Sequence, residues 1–234
     1  METTEKKYEL TEETIEFCNR TLYRIKALKD FGDVKVGDLG GYIESESNLM
    51  QEGCAWVYGN AKVRGNAKVY GDAKVCDNAM VSDKATVSDN ARVYGDAWVY
   101  GSAEVYGNAK VYGNAEVRGY AWVHSNAEVY GDAVVYGDAV VFGSADVYGS
   151  ADVRGDAEIK GKTDYIVFKN WWSSGRYFTW TRSNNMWVVG CFYGTGKELV
   201  EKAYKDSELS GREYERVVKY VESILADEKK QRKQ

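Results

Sequence analysis

General acid–base chemistry at neutral pH turns first on histidine, and this 234-residue chain holds one, His124, in the run Val123, His124, Ser125, Asn126. Metal chemistry needs clustered ligands. The four cysteines, Cys18, Cys54, Cys76 and Cys191, are widely scattered and fit no zinc spacing, so free thiols in a reducing compartment are expected. Recurrent Gly-Asp pairs offer one carboxylate per corner, which turn chemistry explains without calcium. No metal and no cofactor is therefore expected. Stacking chemistry has one concentrated candidate near the C-terminus, where Trp172, Arg176, Tyr177, Trp180, Arg182 and Trp187 interleave rings with cations, joined by Phe168 and Lys169. Such a stretch can stack on a base or nucleotide, or it can fill the core of a small domain with large rings.

The elements that must position these residues follow from an internal repeat. From Ala55 onward the chain reads Ala-x-Val-x-x-x through eighteen hexads without a slip, with alanine at every sixth position to Ala157, valine to Val153, and Ile159 closing the series. In each hexad Ala and Val point inward, the residue between them points outward, and three residues turn a corner. The corners read mostly Tyr-Gly-Asn or Tyr-Gly-Asp, as at Tyr58-Gly59-Asn60, the chemistry of a turn with positive φ. The 24 glycines and the absence of proline fit many such corners. Three hexads make one 18-residue coil, so residues 55 to 162 predict a triangular β-helix of six coils, about 29 Å long at the inter-strand spacing.

Outward residues 18 apart then stack in columns. One corner carries Tyr58, Cys76, Tyr94, Tyr112, Tyr130 and Tyr148; another carries Arg64, Ser82, Tyr100, Arg118, Tyr136 and Arg154; the third carries Tyr70, Ser88, Tyr106, His124, Phe142 and Lys160. These columns predict ladders that stabilise the coil, in which His124 is one rung. The alternative is an aromatic protein interface using Tyr94, Tyr112, Tyr130 and Tyr148. Between Ala and Val, Met80, Trp98 and Val134 fall on one flat face and Trp122 and Val140 on the next, where a solvated face should be polar. Packing of prisms as a homotrimer would bury Trp98 and Trp122.

Through its Ala-x-Val hexads the chain resembles the hexapeptide-repeat left-handed β-helix proteins of the trimeric LpxA-like superfamily. The runs Leu22 to Leu28 and Gly37 to Glu44 ahead of the repeat look like the lead-in of YdcK-like and prophage-encoded members. The resemblance implies a left-handed coil, three-fold association, and in many members acyl transfer with a histidine as general base and a long loop over the acyl donor. His124 is a weak candidate for that role, because the hexads leave no loop and it stands one position from the family's usual histidine. The fold class expected is an all-β solenoid, a single-stranded left-handed parallel β-helix with a small α+β C-terminal domain. The function expected is that of a non-enzymatic binding or scaffold protein, phage or prophage encoded by resemblance, engaging a host or phage protein, with inhibition of a host defence factor as the sharper form. An atypical acyltransferase and a nucleotide or nucleic-acid binder are the alternatives.

The ends predict covers for the exposed strand edges. Residues 1 to 50 read as a cap with an imperfect first coil, containing a short helix over 11 to 20 capped by Thr11 and a strand over 21 to 28. Residues 51 to 162 are the repeat. Residues 163 to 234 read as three strands, the third running from Met186 to Tyr193, and two helices opened by capping boxes at Thr195/Glu198 and Ser210/Glu213, with a solvated basic tail from Lys229 to Gln234. Net charge is −5, so no global field attracts phosphate backbones. The charge is uneven: 7 basic against 6 acidic residues from 55 to 114, and 3 against 8 from 115 to 160. The N-terminus METTEKKYEL shows no signal-peptide pattern and no long apolar run occurs, so a cytoplasmic protein without membrane contact is expected.

Overall fold

The computed structural model describes residues 5–232. The readings that touch Met1 to Thr4, Lys233 and Gln234 lie outside them. The chain divides into two compact units, one ending at Asp164 and one beginning at Tyr165.

The first unit is a parallel β-solenoid. Each hexad contributes one two-residue strand, from β4 (Trp56–Val57) to β21 (Glu158–Ile159), and each strand pairs in parallel with the strands one coil away. The alternation dictates the interior: every inward alanine and valine of the hexads is at most 1% exposed. Backbone donors on each face are satisfied by the next coil, as where the Trp98 and Tyr100 N–H groups donate to the Ala115 and Val117 carbonyls at 2.9 and 3.0 Å. The Gly position of the corners takes positive φ from Gly59 to Gly155. At Gly101 (φ +73) a Cβ would stand 2.9 Å from the Gly119 backbone nitrogen, so glycine is required there both for conformation and for coil spacing. One coil departs from glycine at all three corners. Asp77, Asp83 and Asp89 (φ 61, 63 and 56) accept the left-handed conformation and turn their carboxylates onto the N–H groups of Gly95, Gly101 and Gly107 at 3.0, 3.2 and 3.0 Å.

The first coil is longer than the others. In β3 (Leu39–Ile43), Ile43 pairs with Val63, and Leu49 bridges to Val69, so both are offset by twenty residues instead of eighteen. Asn48 is buried there; its amide donates to the Gly65 and Ala67 carbonyls and fixes the irregular corner. Ahead of it lies a hairpin, not a helix. Residues 11 to 20, expected helical, run through β1 (Tyr8–Phe17) and its turn to the first residue of β2 (Arg20–Ala27), which pairs antiparallel with β1 through a two-residue turn at Cys18 and Asn19, both with positive φ. β2 in turn pairs with β3, so the hairpin continues one face of the solenoid. The acidic pair Glu12 and Glu13 after Thr11 looks like a first helical turn, but its neighbours find cross-strand partners that a helix could not offer.

The N-terminal segment also covers the first coil. Trp56 is outward by its phase yet 1% exposed, because the rings of Tyr8 and Phe31 stand at 6.0 and 5.3 Å. The Tyr8 hydroxyl donates to the Leu49 carbonyl at 2.6 Å. Beside them the Lys7 ammonium is buried and donates to the carbonyls of Ala55, Glu52 and Gly53 at 3.0, 3.4 and 3.5 Å.

The second unit is a four-stranded antiparallel sheet with two helices. Its strands are β22 (Tyr165–Lys169), β23 (Tyr177–Thr181), β24 (Met186–Val189) and β25 (Phe192–Gly194). The third strand expected from Met186 to Tyr193 is thus two strands, broken where Gly190 takes φ +57 in a two-residue turn. Helix α1 (Gly196–Asp206) opens with the expected Thr195/Glu198 capping box. Helix α2 (Glu208–Gln231) starts at Ser207, not Ser210, because Ser207 ends α1 and its side chain accepts from the Ser210 N–H. The helices can fold back this sharply because Gly211 lies against the Tyr204 ring, where a Cβ would meet ring carbons at 2.2 Å. The expected basic tail is helical as far as Gln231.

Candidate functional site

The solenoid converts a column of sequence positions into a stack of side chains. Tyr94, Tyr112, Tyr130 and Tyr148 form a continuous pile with ring centroids 4.8, 4.9 and 5.3 Å apart and planes within 12°. Their hydroxyl ends are partly tied down: Tyr112 donates to the Glu128 carboxylate at 2.9 Å, and Lys110 reaches the same carboxylate at 2.7 Å. These hydrogen bonds hold the Glu128 carboxyl below its ordinary pKa despite some desolvation. As interface candidates Tyr94, Tyr112 and Tyr130 are half-buried by their own stack, and Tyr148 at its end is 52% exposed.

His124 sits in the third corner between Tyr106 and Phe142, with ring centroids at 4.8 and 5.5 Å and both pairs stacked. Its Nδ1 lies 3.0 Å from the Ser125 Oγ, and burial pushes its pKa below the ordinary histidine value. Both faces of the imidazole are therefore covered by rings, and the neutral form is favoured. The geometry is that of a rung.

The flat faces behave differently from one another. In one, Trp98 lies between Met80 and Glu116; in the next, Trp122 lies between Glu104 and Val140. Met80, expected outward and exposed, is only 6% exposed and is no part of an open patch. Trp98 and Trp122 remain 45% exposed each. Sequence reasoning missed Tyr120, which is 67% exposed at the corner between these two faces. Its column position elsewhere holds Asn66, Lys84, Ser102 and Asp138, so the departure from polar residues was a readable signal. The neighbouring column pairs cations with rings: the guanidiniums of Arg118 and Arg154 lie 4.1 and 4.8 Å from the Tyr136 centroid.

The C-terminal set does not assemble into one stacking surface. Trp180 and Trp187 are core residues, 1% and 2% exposed, packed with Phe178, Leu199, Val217, Val218 and Val221. Arg182 is engaged by both carboxylate oxygens of Glu228 at 2.7 and 3.1 Å. Trp172 is half-buried against Phe178 and Tyr214, while Arg176 and Tyr177 are exposed. The helices, invisible as partners in the strand sequence, claim the rings. Trp171, not among the candidates, is the most exposed large ring of this unit at 76%.

Among the described residues the four cysteines are free, no three His, Cys, Asp or Glu side chains form a metal-binding group, and no helix is long and apolar enough to cross a membrane.

Two comparisons with known proteins bear on this geometry. The YdcK Beta solenoid repeat family matches residues 73–89 and 85–101. A protein of Escherichia coli (strain K12), named "Uncharacterized acetyltransferase YdcK", is 41% identical over 61 residues, which are 23% of this chain. That match spans 19% of the relative, so the chain covers about a fifth of its length. By its own architecture and by these matches the chain is a parallel β-solenoid, similar to the YdcK repeats across the coils that run from Ala73 to Gly101.

Proposed function

We propose that the protein is a binding module whose rigid solenoid presents aromatic side chains to a protein partner, with the resemblance to prophage-encoded members favouring a partner in a host cell. The observation that carries this reading is the exposure of Trp98, Tyr120 and Trp122 around one corner of an otherwise well-satisfied prism. Their backbones are held on both sides by hydrogen-bonded coils, so little backbone freedom remains to be lost on association. Large rings on a fixed frame are the side chains that dominate binding energy at interfaces.

The test is affinity capture from a lysate of the native cells with the full-length protein, beside Trp98→Ala/Trp122→Ala and Trp171→Ala/Arg176→Ala. Capture lost only in the first variant supports the solenoid corner. Capture lost only in the second moves the site to the C-terminal unit and overturns the reading. Self-association as a homotrimer would also cover these faces; a solution mass of one chain removes it.

A second reading, acyl transfer, draws on the name of the Escherichia coli relative. It needs the imidazole of His124 to reach an acceptor from between two rings. Binding of acetyl-coenzyme A that vanishes in His124→Ala would support it over the binding module.

A further inference from the structure

Six residues around the exposed corner line one shallow concavity: Ser102, Glu104, Tyr120, Trp122, Asp138 and Val140. The repeat explains why they converge. Ser102, Tyr120 and Asp138 occupy the same corner position in successive coils, and Glu104, Trp122 and Val140 are paired in register on the adjoining flat face. Tyr120 and Trp122 flank the buried Ala121, so both project to the same side, and the coils above and below place a carboxylate about 4.8 Å along the axis.

The charges of this groove are uncompensated. Three other outward carboxylates of the prism have cations, Glu116 with Arg118, Glu128 with Lys110 and Asp152 with Arg154, and the corner carboxylates Asp77, Asp83 and Asp89 accept from backbone N–H groups. Glu104 and Asp138 make no ion pair and no side-chain hydrogen bond among the described residues, and no cation lines the groove. Two exposed rings between two free carboxylates form a site with negative potential over aromatic surface, which suits an organic cation and disfavours an anion or a purely apolar segment. The adjacent column shows the geometry already in use, since Arg118 and Arg154 sandwich Tyr136 at the spacing set by the coils.

We propose that this groove receives an arginine or lysine side chain of a basic partner segment, stacked on Tyr120 and Trp122 with its charge between Glu104 and Asp138. The proposal rests on the binding-module reading and names the chemistry of the partner. A second copy of this chain is a poorer occupant, because it would bring the same two carboxylates.

The test uses the full-length protein labelled with 5-fluorotryptophan, its Trp122 fluorine resonance assigned with Trp122→Phe. The probes are a Gly-Arg-Gly-Arg-Gly peptide, the same peptide with neutral citrulline for arginine, and maltotriose. The arginine peptide is expected to shift the Trp122 resonance, and the citrulline peptide is not. Glu104→Gln/Asp138→Asn should weaken the peptide about 2- to 30-fold, the range for loss of two exposed ion pairs, while Glu201→Gln/Glu208→Gln, with the same change in net charge, should not. Absence of a shift, an equal shift with citrulline or maltotriose, or equal weakening by both double variants overturns the proposal. If partner capture needs Trp122 while the arginine peptide leaves its resonance unmoved, the binding module stands and the cation site falls. If capture is indifferent to Trp98 and Trp122, the binding module itself falls.

Discussion

Lys7 links the N-terminal cap to the solenoid by burying an ammonium among backbone carbonyls, and this has a measurable consequence. Its side chain is 1% exposed, lies 5.1 Å from the Phe31 ring centroid, and burial pushes its pKa from 10.5 down to about 8. Between those values the unfolded chain holds a proton that the folded protein has released, so stability rises with pH across that window and the penalty is fully present below about pH 8. Integrated between pH 7 and 9.5, the linkage amounts to about 2 kcal/mol, with a limiting slope of about 1.4 kcal/mol per pH unit. Other groups oppose it. Burial raises the Cys76 thiol to about 11 and pushes the Tyr8 and Tyr58 hydroxyls well above their ordinary range, and each of these contributes stability that is lost as pH rises. The clean quantity is therefore the difference between the wild type and Lys7→Met, from urea unfolding followed by tryptophan fluorescence, to which Trp56 beneath the cap contributes, and by circular dichroism. That difference should move in favour of the wild type by about 2 kcal/mol between pH 7 and 9.5. A constant difference would show that the ammonium is not desolvated and would refute the account of the cap.

Three further outcomes follow from particular contacts. Asp83→Ala keeps a Cβ at positive φ and loses the acceptor for Gly101, so it should destabilise by about 1–2 kcal/mol, whereas Asp83→Gly exchanges the hydrogen bond for relief of φ strain and should be near neutral; denaturant midpoints separate the two. His124→Phe should preserve the stack and remove a group whose folded pKa is depressed, so the stability that the wild type loses as pH falls through the histidine range should be lost less in the variant, read as thermal midpoints at pH 7 and pH 5. Gly211→Ala forces a methyl into the Tyr204 ring and should destabilise the second unit by about 1–3 kcal/mol, seen as an earlier helical transition, with the solenoid transition unmoved.

The solenoid was legible because its period fixes, for each residue, which side of the wall it faces. Ala121 is inward and Trp122 outward by phase alone, and the structure buries the first and exposes the second. Phase does not say what else covers a face. Trp56 obeys the same rule as Trp122, yet the cap closes over it, and Met80 is buried within its face. Where no period exists, the reading weakened further. Glu12 and Glu13 looked like the first turn of a helix because the partner that makes β1 a strand lies across a turn without glycine. For Trp180 and Trp187 the sequence left a stacking surface and a ring-filled core both open, because the hydrophobic faces that bury them belong to helices beginning many residues later.

The same regularity separates what the fold needs from what function adds. An outward position on a hexad is nearly unconstrained by the coil, since equivalent sites on one face hold Lys68, Thr86, Glu104, Trp122, Val140 and Glu158 with the same backbone pairing. The chain thus contains its own controls: neighbouring coils show that neither Trp122 nor Glu104 is required for the strand to form. At the corner, Lys84, Ser102 and Asp138 show the same for Tyr120. At 45% exposure the Trp122 indole leaves apolar surface in water, a cost that lysine or threonine at the equivalent position avoids, so the stability of the coil alone does not account for it. The convergence of Tyr120, Trp122, Glu104 and Asp138 on one groove is for that reason not dictated by the solenoid, which supports the cation site proposed there.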